Sequence, residues 1–294
     1  MKVIIAGGSG FIGTLLAEEL KAAGHDISIL TRGESRSSEG MEYVQWDAES
    51  VPTQVRSADV VINLSGASII DGAWTAKRKK VLRDSRIKTS RACLEFLEES
   101  ETPPKVFINA SAVGIYGDRP DEVMDEDSSP GTGFVPDLVK VWENSAQGAK
   151  TRTVILRIGV VLSRDGGAFP RMLLPFRLGV GNYFGHGRQG FPWIHYRDIL
   201  ESIKFAMENE SLSGPVNLAA PEPISNKDFT LAMGRAMGGR LTMPVPAFML
   251  KLAFGKRHRL LMDSQFVKPR VLLDAGYKFH FPDPEAAVRD LLGK

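Results

Sequence analysis

The stretch "KVIIAGGSGFIG" (residues 2–13) runs from an unbroken apolar segment, Val3 to Ala6, into glycines spaced GxxGxxG at Gly7, Gly10 and Gly13. An apolar run without alternation predicts a strand buried on both faces, and the residues behind it predict a helix over 11–24. At such a strand-to-helix turn each glycine has its own task. Gly7 makes the tight turn, Gly10 lets the backbone approach a pyrophosphate, and Gly13 lets the helix pack closely on the sheet. The phosphates then meet the positive end of that helix. This context, more than the spacing, makes the stretch a dinucleotide-binding turn.

Outward from this turn the pattern repeats. Further strands are predicted over 26–31, 42–47, 59–66, 105–112 and 152–159, with helices over 76–100 and 134–149 between them. Buried strands alternating with helices imply an α/β fold, a doubly wound parallel sheet whose ligand sits outside the carboxyl ends of the strands. Past residue 160 the pattern loosens into a segment rich in glycine, arginine and aromatics. A helix over 198–209, a strand over 214–220 and a helix capped by Ser225 or Asn226 follow. The last 50 or so residues predict a small helical lobe. The expected organisation is a Rossmann domain of residues 1–165 and 191–220. Residues 166–190 and 221–294 then form a smaller substrate-side and C-terminal lobe.

Hydrophobic residues make up 43% and charged residues 24% of the 294, ample for a globular core. The 37 Lys and Arg nearly balance the 35 Asp and Glu, so the net charge of +2 predicts neither a nucleic-acid nor an anionic-membrane surface. The single cysteine, Cys93, lies in an apolar helical segment and reads as a small buried hydrophobe. With no internal disulfide, and an opening apolar run too short for a signal peptide, a reducing cytoplasm is the expected location. No stretch is long and apolar enough to span a membrane, and no metal-ligand spacing occurs.

The tip of the second strand chooses the dinucleotide. An NAD site places an acid about 20 residues past the glycines to hold the ribose hydroxyls. Here the strand ends "ILTRGESR", with Thr31, Arg32 and Arg36 and no acid at the tip. A planar guanidinium matches a 2′-phosphate bidentately, so NADP is the expected cofactor. The plainer reading leaves both arginines as solvated loop residues.

"GGSGFIG", "INLSGA", "NASAVGIYGD", "VILRIGVVL" and "WIHYRDI" together resemble the extended short-chain dehydrogenase/reductases, the nucleotide-sugar epimerase/dehydratase superfamily. The segment "SGASIIDGAWTAKRKKVLRDSRIKTS" and the C-terminal region resemble its atypical branch of "epimerase family" proteins, sometimes linked to cell-division inhibition. The resemblance implies that Gly7, Gly10, Phe11, Ile12 and Gly13 hold the pyrophosphate, and Thr31 with Arg32 the 2′-phosphate. It implies Asp47 near the adenine, and Asn63, Leu64, Ser65 and Gly66 along the ribose. Arg86 would reach back from the following helix, and Val160 would pack near the nicotinamide. It also implies a small polar or nucleotide-linked substrate and, by analogy, a homodimer.

Typical members exchange a proton through a tyrosine whose pKa is lowered by a lysine four residues later on one helix. The five tyrosines here are followed four residues on by Asp47, Pro120, Gly187, Leu200 and Phe281, so the pair is absent. In "FVPDLVKVWENS" (134–145), Val135 and Val139 fall at its positions. Lys140 reads as a solvated lysine sharing the polar helix face with Glu143. The remaining polar candidates for catalysis are Ser111, Tyr116, Arg188 and His195, expected to line one pocket over the nicotinamide. Arg188 lies where an arginine of the family often meets a nucleotide-sugar phosphate, and the other three each have a structural alternative. Ser111 can bond backbone, Tyr116 occurs also where the standard pair is intact, and His195 can pack beside Trp193 while Asp198 caps the next helix. Two functions stay open: an NADP-dependent oxidoreductase or epimerase-like enzyme, and a non-catalytic NADP(H)-binding regulator.

Overall fold

The computed structural model describes residues 1–52, 55, 57–239 and 241–293. The chain opens with β1 (Lys2–Ala6), α1 (Phe11–Ala22), β2 (Asp26–Thr31), β3 (Arg36–Ser38), β4 (Met41–Gln45) and β5 (Val60–Asn63). It continues through α2 (Ala76–Glu99), β6 (Val106–Ala112), β7 (Arg119–Met124), α3 (Phe134–Asn144) and β8 (Arg152–Ile158). Next come β9 (Val160–Leu162), α4 (Phe169–Arg177), β10 (Val180–Phe184), β11 (Trp193–His195), α5 (Tyr196–Glu208) and β12 (Gly214–Leu218). The remainder holds α6 (Asn226–Ala236), β13 (Leu241–Val245), α7 (Ala247–Phe254), α8 (Arg259–Met262), β14 (Gln265–Val267), α9 (Arg270–Asp274) and α10 (Pro284–Leu292).

Eight strands form one sheet in the order β3, β4, β2, β1, β5, β6, β8, β12. Every neighbouring pair is parallel except β3 with β4. The expected doubly wound parallel sheet is therefore present. Strand order reverses at β1, between β2 and β5, and the crevice for a ligand opens there. Alternate side chains of each strand go to opposite layers, which is why the strands read as continuous apolar runs. Ile5, Ile29 and Ile62 pack with Leu16, Leu20 and Ile203 on one face. Ile4, Leu30, Val61 and Phe107 pack with Cys93 and Leu97 on the other. Cys93 is fully buried, and desolvation pushes its thiol up to about 12, so it is an inert core residue.

Several expectations are corrected. The strand read over 59–66 stops at Asn63, since Leu64 to Gly66 turn across the end of β1, with the Leu64 N–H donating to the Ala6 carbonyl. The helix read over 134–149 stops at Asn144, where the Ser145 hydroxyl donates to the Trp142 carbonyl and Gly148 adopts φ +112°. The C-terminal region is not purely helical: β13 lies parallel on β10, and β14 parallel on β7. These runs are too short to declare themselves without the edge they pair with.

Ser225 does cap α6, accepting the Asp228 N–H. Asp198, in contrast, caps nothing. Its carboxylate accepts the N–H groups of His280 and Phe281 and lies 3.3 Å from the Tyr277 hydroxyl, fastening the C-terminal segment to α5. His195 is the residue that caps α5, with Nδ1 accepting the Arg197 N–H.

Candidate functional site

The carboxyl ends of β1, β2, β4 and β5, walled on one side by α2, enclose a groove of about 590 Å³. Its floor is the glycine turn. Gly7 sits at φ +80°, and a Cβ there would fall 2.9 Å from the backbone of Leu64 and Ser65, so the β1 and β5 turns touch. A Cβ on Gly13 would fall 2.3 Å from the Gly7 carbonyl oxygen, which fixes how closely α1 abuts the turn. Helix α1 begins at Gly10 with no side-chain cap and no acid in its first turn. The amides of Phe11, Ile12 and Gly13 thus stand at a helix amino end with no intrahelical acceptor, a ready anion cradle.

At the far end of the groove, Thr31 and Arg32 leave the tip of β2, and Asp47 follows β4. The Thr31 hydroxyl accepts the Gly33 N–H at 3.2 Å, bending the chain so that Arg32 projects exposed at the rim. Arg36 lies outside the lining. It belongs to the edge strand β3, and its guanidinium stacks 4.1 Å over the Tyr43 ring. Asp47 accepts the Glu49 N–H, and Lys88 of α2 pairs with Glu49 at the rim. Trp46, Ser85 and Lys88 also line the groove. Sequence reasoning passed over them, because nothing distinguishes Lys88 from the many other basic residues of α2.

Toward the middle of the sheet, Leu64, Ser65 and Gly66 line the groove, while Asn63 is buried behind them. Asn63 accepts the Ser65 N–H and donates to Asn109 at 2.7 Å, so it shapes the turn without facing the groove. Arg86 is buried too. It donates to the Leu82 carbonyl, lies 4.8 Å from the Trp142 ring, and would meet a Cβ on Gly66 at 3.3 Å. Among the described residues no carboxylate pairs with it, and burial, aided by Arg78, lowers its guanidinium to about 10. Val160 opens β9, partly buried opposite Trp193.

Helix α3 holds the place of the missing pair. Val139 and Trp142 are buried, Val135 is partly so, and Lys140 is exposed, as expected. Glu143 is the correction: it turns inward and is 6% exposed. It accepts the Ser111 hydroxyl at 2.6 Å and pairs with Arg157 Nε and Nη2 at 2.9 and 3.0 Å. Arg157 also donates to the Tyr116 hydroxyl at 3.0 Å, and Tyr116 donates to Asn217 at 2.7 Å. Burial pushes the Tyr116 phenol up to about 12, against the pull of Arg157. Ser111 and Tyr116 are thus joined in one buried polar chain through two residues that sequence reasoning did not select.

His195 and Arg188 stand apart from that chain. His195 is fully buried, 3.9 Å from the Phe281 ring, with Nε2 3.4 Å from Asp290 of α10. Arg188 is exposed on its loop, where its N–H donates to His186 Nδ1. One pocket lined by all four is not what the fold builds, since β11 and α10 enclose His195 in a separate core.

Burial holds the His195 imidazole down at about 4, with Arg197 and His280 adding to the depression and Asp290 opposing it. An unfolded histidine protonates near 6.5, so between roughly pH 6.5 and 4 the unfolded chain binds more protons and the fold loses stability, by up to about 3 kcal/mol. Protonation also removes the acceptor that caps α5. Burial raises Asp198, which works in the opposite sense as the pH falls. Replacing His195 by Gln should therefore flatten the loss of urea-unfolding stability between about pH 7 and 5. An equal loss in both proteins would show that acid acts elsewhere.

A family model for the NAD-dependent epimerase/dehydratase family matches residues 3–219, and one for a domain of unknown function, DUF1731, matches 245–291. The mouse epimerase family protein SDR39U1 is 37% identical over 99% of this chain and 100% of its own length. YfhF of Bacillus subtilis, also called an epimerase family protein, is 36% identical over 99% and 98%. The crystal structure of human SDR39U1 (isoform 2) with NADPH superposes with a TM-score of 0.91 at 35% identity, covering all of both chains. By the family match over residues 3–219 and by these full-length relatives, the chain belongs to the NAD-dependent epimerase/dehydratase family.

Proposed function

We propose that the protein binds NADP(H) in the groove above β1, β2 and β5 and acts as an oxidoreductase or epimerase-like enzyme on a small polar or nucleotide-linked substrate. The observation that carries this reading is the tip of β2, where Thr31 and Arg32 line the groove and no carboxylate ends the strand. An acid there would hold two ribose hydroxyls and repel a 2′-phosphate; a guanidinium does the reverse. Arg86 adds support, because a buried cation with no acid beside it calls for an anion. The human relative solved with NADPH supports the same cofactor. When bound, the nicotinamide supplies a hydride donor or acceptor. The chain contributes the first-turn amides of α1 to the pyrophosphate, the Asn63-braced turn to the ribose and Asp47 to the adenine end.

Arg32→Ala tests it. NADPH affinity, read by titrating the cofactor's fluorescence, should fall about tenfold to a hundredfold while NADH changes little, as expected for lost charge-assisted hydrogen bonds. A wild-type protein that prefers NADH overturns the reading.

A second reading, a non-catalytic NADP(H)-binding regulator, is favoured by one feature: the Ser111 and Tyr116 hydroxyls are spent inside the buried chain, and α3 presents valines where the proton pair would stand. Turnover separates the two. Consumption of NADPH with any member of a broad carbonyl panel selects the enzyme, and tight binding without consumption selects the regulator.

A further inference from the structure

Helix α7, AFMLKLAF, buries a single residue, Leu250. Phe248 (71% exposed), Met249 (50%) and Leu252 (87%) look outward together, since residues i, i+1 and i+4 share one side of a helix. Leu241 and Met243 of the preceding β13 are exposed as well. Large apolar side chains gathered on the surface of a globular fold mark a place where something docks.

The segment itself is basic, with acids only at its margins: Asp263 pairs with Arg259, and Asp71 sits on the adjoining loop. From Leu241 to Met262 the chain carries Lys251, Lys256, Arg257 and Arg259 and no acid. Lys251 and Lys256 are exposed. The basic amino end of α2 lies alongside: Arg257 donates to the Ile70 carbonyl and Arg78 to that of Ser68, so both segments grip one loop. Lys77, Lys80 and Arg83 of α2 are exposed, with Lys80 turned to Asp84 on the groove side of the helix. The net charge of +2 conceals this concentration because acids collect in other segments, six of them from Asp118 to Asp127, of which Asp118 reaches the margin of the basic segment and accepts the Ser264 N–H.

We propose that this face docks the protein onto an anionic lipid bilayer. Phe248, Met249 and Leu252 enter the headgroup layer, and Lys251, Lys256 and the amino end of α2 meet lipid phosphates. A short helix with one apolar side and basic neighbours suits the plane of the interface, and among the described residues no helix is long and apolar enough to cross a membrane. The charge pattern argues against a second copy. A twofold pairing would bring two basic α7 surfaces together, Lys251 and Lys256 of one copy facing the like-charged patch of the other. Anionic lipid supplies the missing negative charge and needs no groove to receive a convex helix.

The full-length protein should sediment with phosphatidylcholine vesicles containing about one-third phosphatidylserine, bind pure phosphatidylcholine far less, and release as salt is raised. Phe248→Ser with Leu252→Ser should weaken the vesicle partition about tenfold or more, and Lys251→Glu with Lys256→Glu by a similar factor. All four positions are exposed and outside the cofactor groove, so the variants should keep the wild-type melting temperature and NADPH affinity. Failure of the wild type to bind anionic vesicles overturns the proposal, as does equal binding by wild type and folded variants. A dimer in solution that Phe248→Ser with Leu252→Ser dissociates, without lipid binding, overturns it in favour of a second copy. Capture of an acidic protein without lipid binding overturns it in favour of a protein partner.

Discussion

Replacing Arg157 by Met should cost about 3–5 kcal/mol of stability, the usual penalty for stranding one charge of a buried ion pair. Arg157 and Glu143 are each less than a tenth exposed, and the guanidinium holds the carboxylate through two hydrogen bonds. Without Arg157, Glu143 keeps only the Ser111 hydroxyl, and Tyr116 loses one of its two partners. Glu143→Leu should be comparably damaging, because Arg157 then keeps only the Tyr116 hydroxyl and the Glu126 carbonyl. The double replacement by Leu and Met is expected to recover much of the loss, since an apolar pair of similar volume leaves no charge to solvate. Urea unfolding of the four proteins in a double-mutant cycle measures this. Single variants within about 1 kcal/mol of wild type would mean that water already reaches the pair.

This ion pair also shows what was legible in the sequence and what was not. The glycine turn and the parallel sheet are written in local pattern: Gly7, Gly10 and Gly13 at fixed spacing, and apolar runs whose alternate residues fill two layers. In sequence Glu143 shares the polar face of α3 with Lys140, yet it also borders the apolar residues Leu138, Val139, Trp142 and Ala146, and helical period does not decide an edge position. Its partners come from β6 and β8, 32 and 14 residues away in sequence. A signal was there nonetheless. Arg157 directly follows the apolar run Val154–Leu156 near the inner end of "RTVILRIG", and a charge at a buried position must find its opposite. Asp198 misled in the same way. It occupies the first turn of a helix, where acids are common, but its partners lie 82 and 83 residues downstream. Arg32 differs because strand-end position alone puts it on the groove lining, with no distant partner to be found.

The glycine turn offers the sharpest separation of folding from binding. Gly13→Ala should lower stability by about 1–3 kcal/mol, the cost of overpacking, and also abolish measurable NADPH binding. The new methyl would stand 2.3 Å from the Gly7 carbonyl oxygen and 2.7 Å from Gly8 Cα, both backbone atoms that no rotamer change can move. Either α1 shifts along the sheet, breaking its packing through Leu16 and Leu20, or the β1 turn opens and the cradle of amides loses its shape. Gly10→Ala is the matching control. Its methyl would meet only the Gly7 carbonyl, at 3.1 Å, and would otherwise project into the groove where a pyrophosphate approaches the backbone. It should leave the melting temperature nearly unchanged while weakening NADPH by about tenfold or more. Thermal melts with and without NADPH distinguish the two outcomes. If Gly13→Ala melts like wild type, α1 does not rest on the turn, and the amide cradle loses its structural basis. If Gly10→Ala binds like wild type, the phosphates lie elsewhere in the groove, and Arg86 becomes the first residue to test as their anchor.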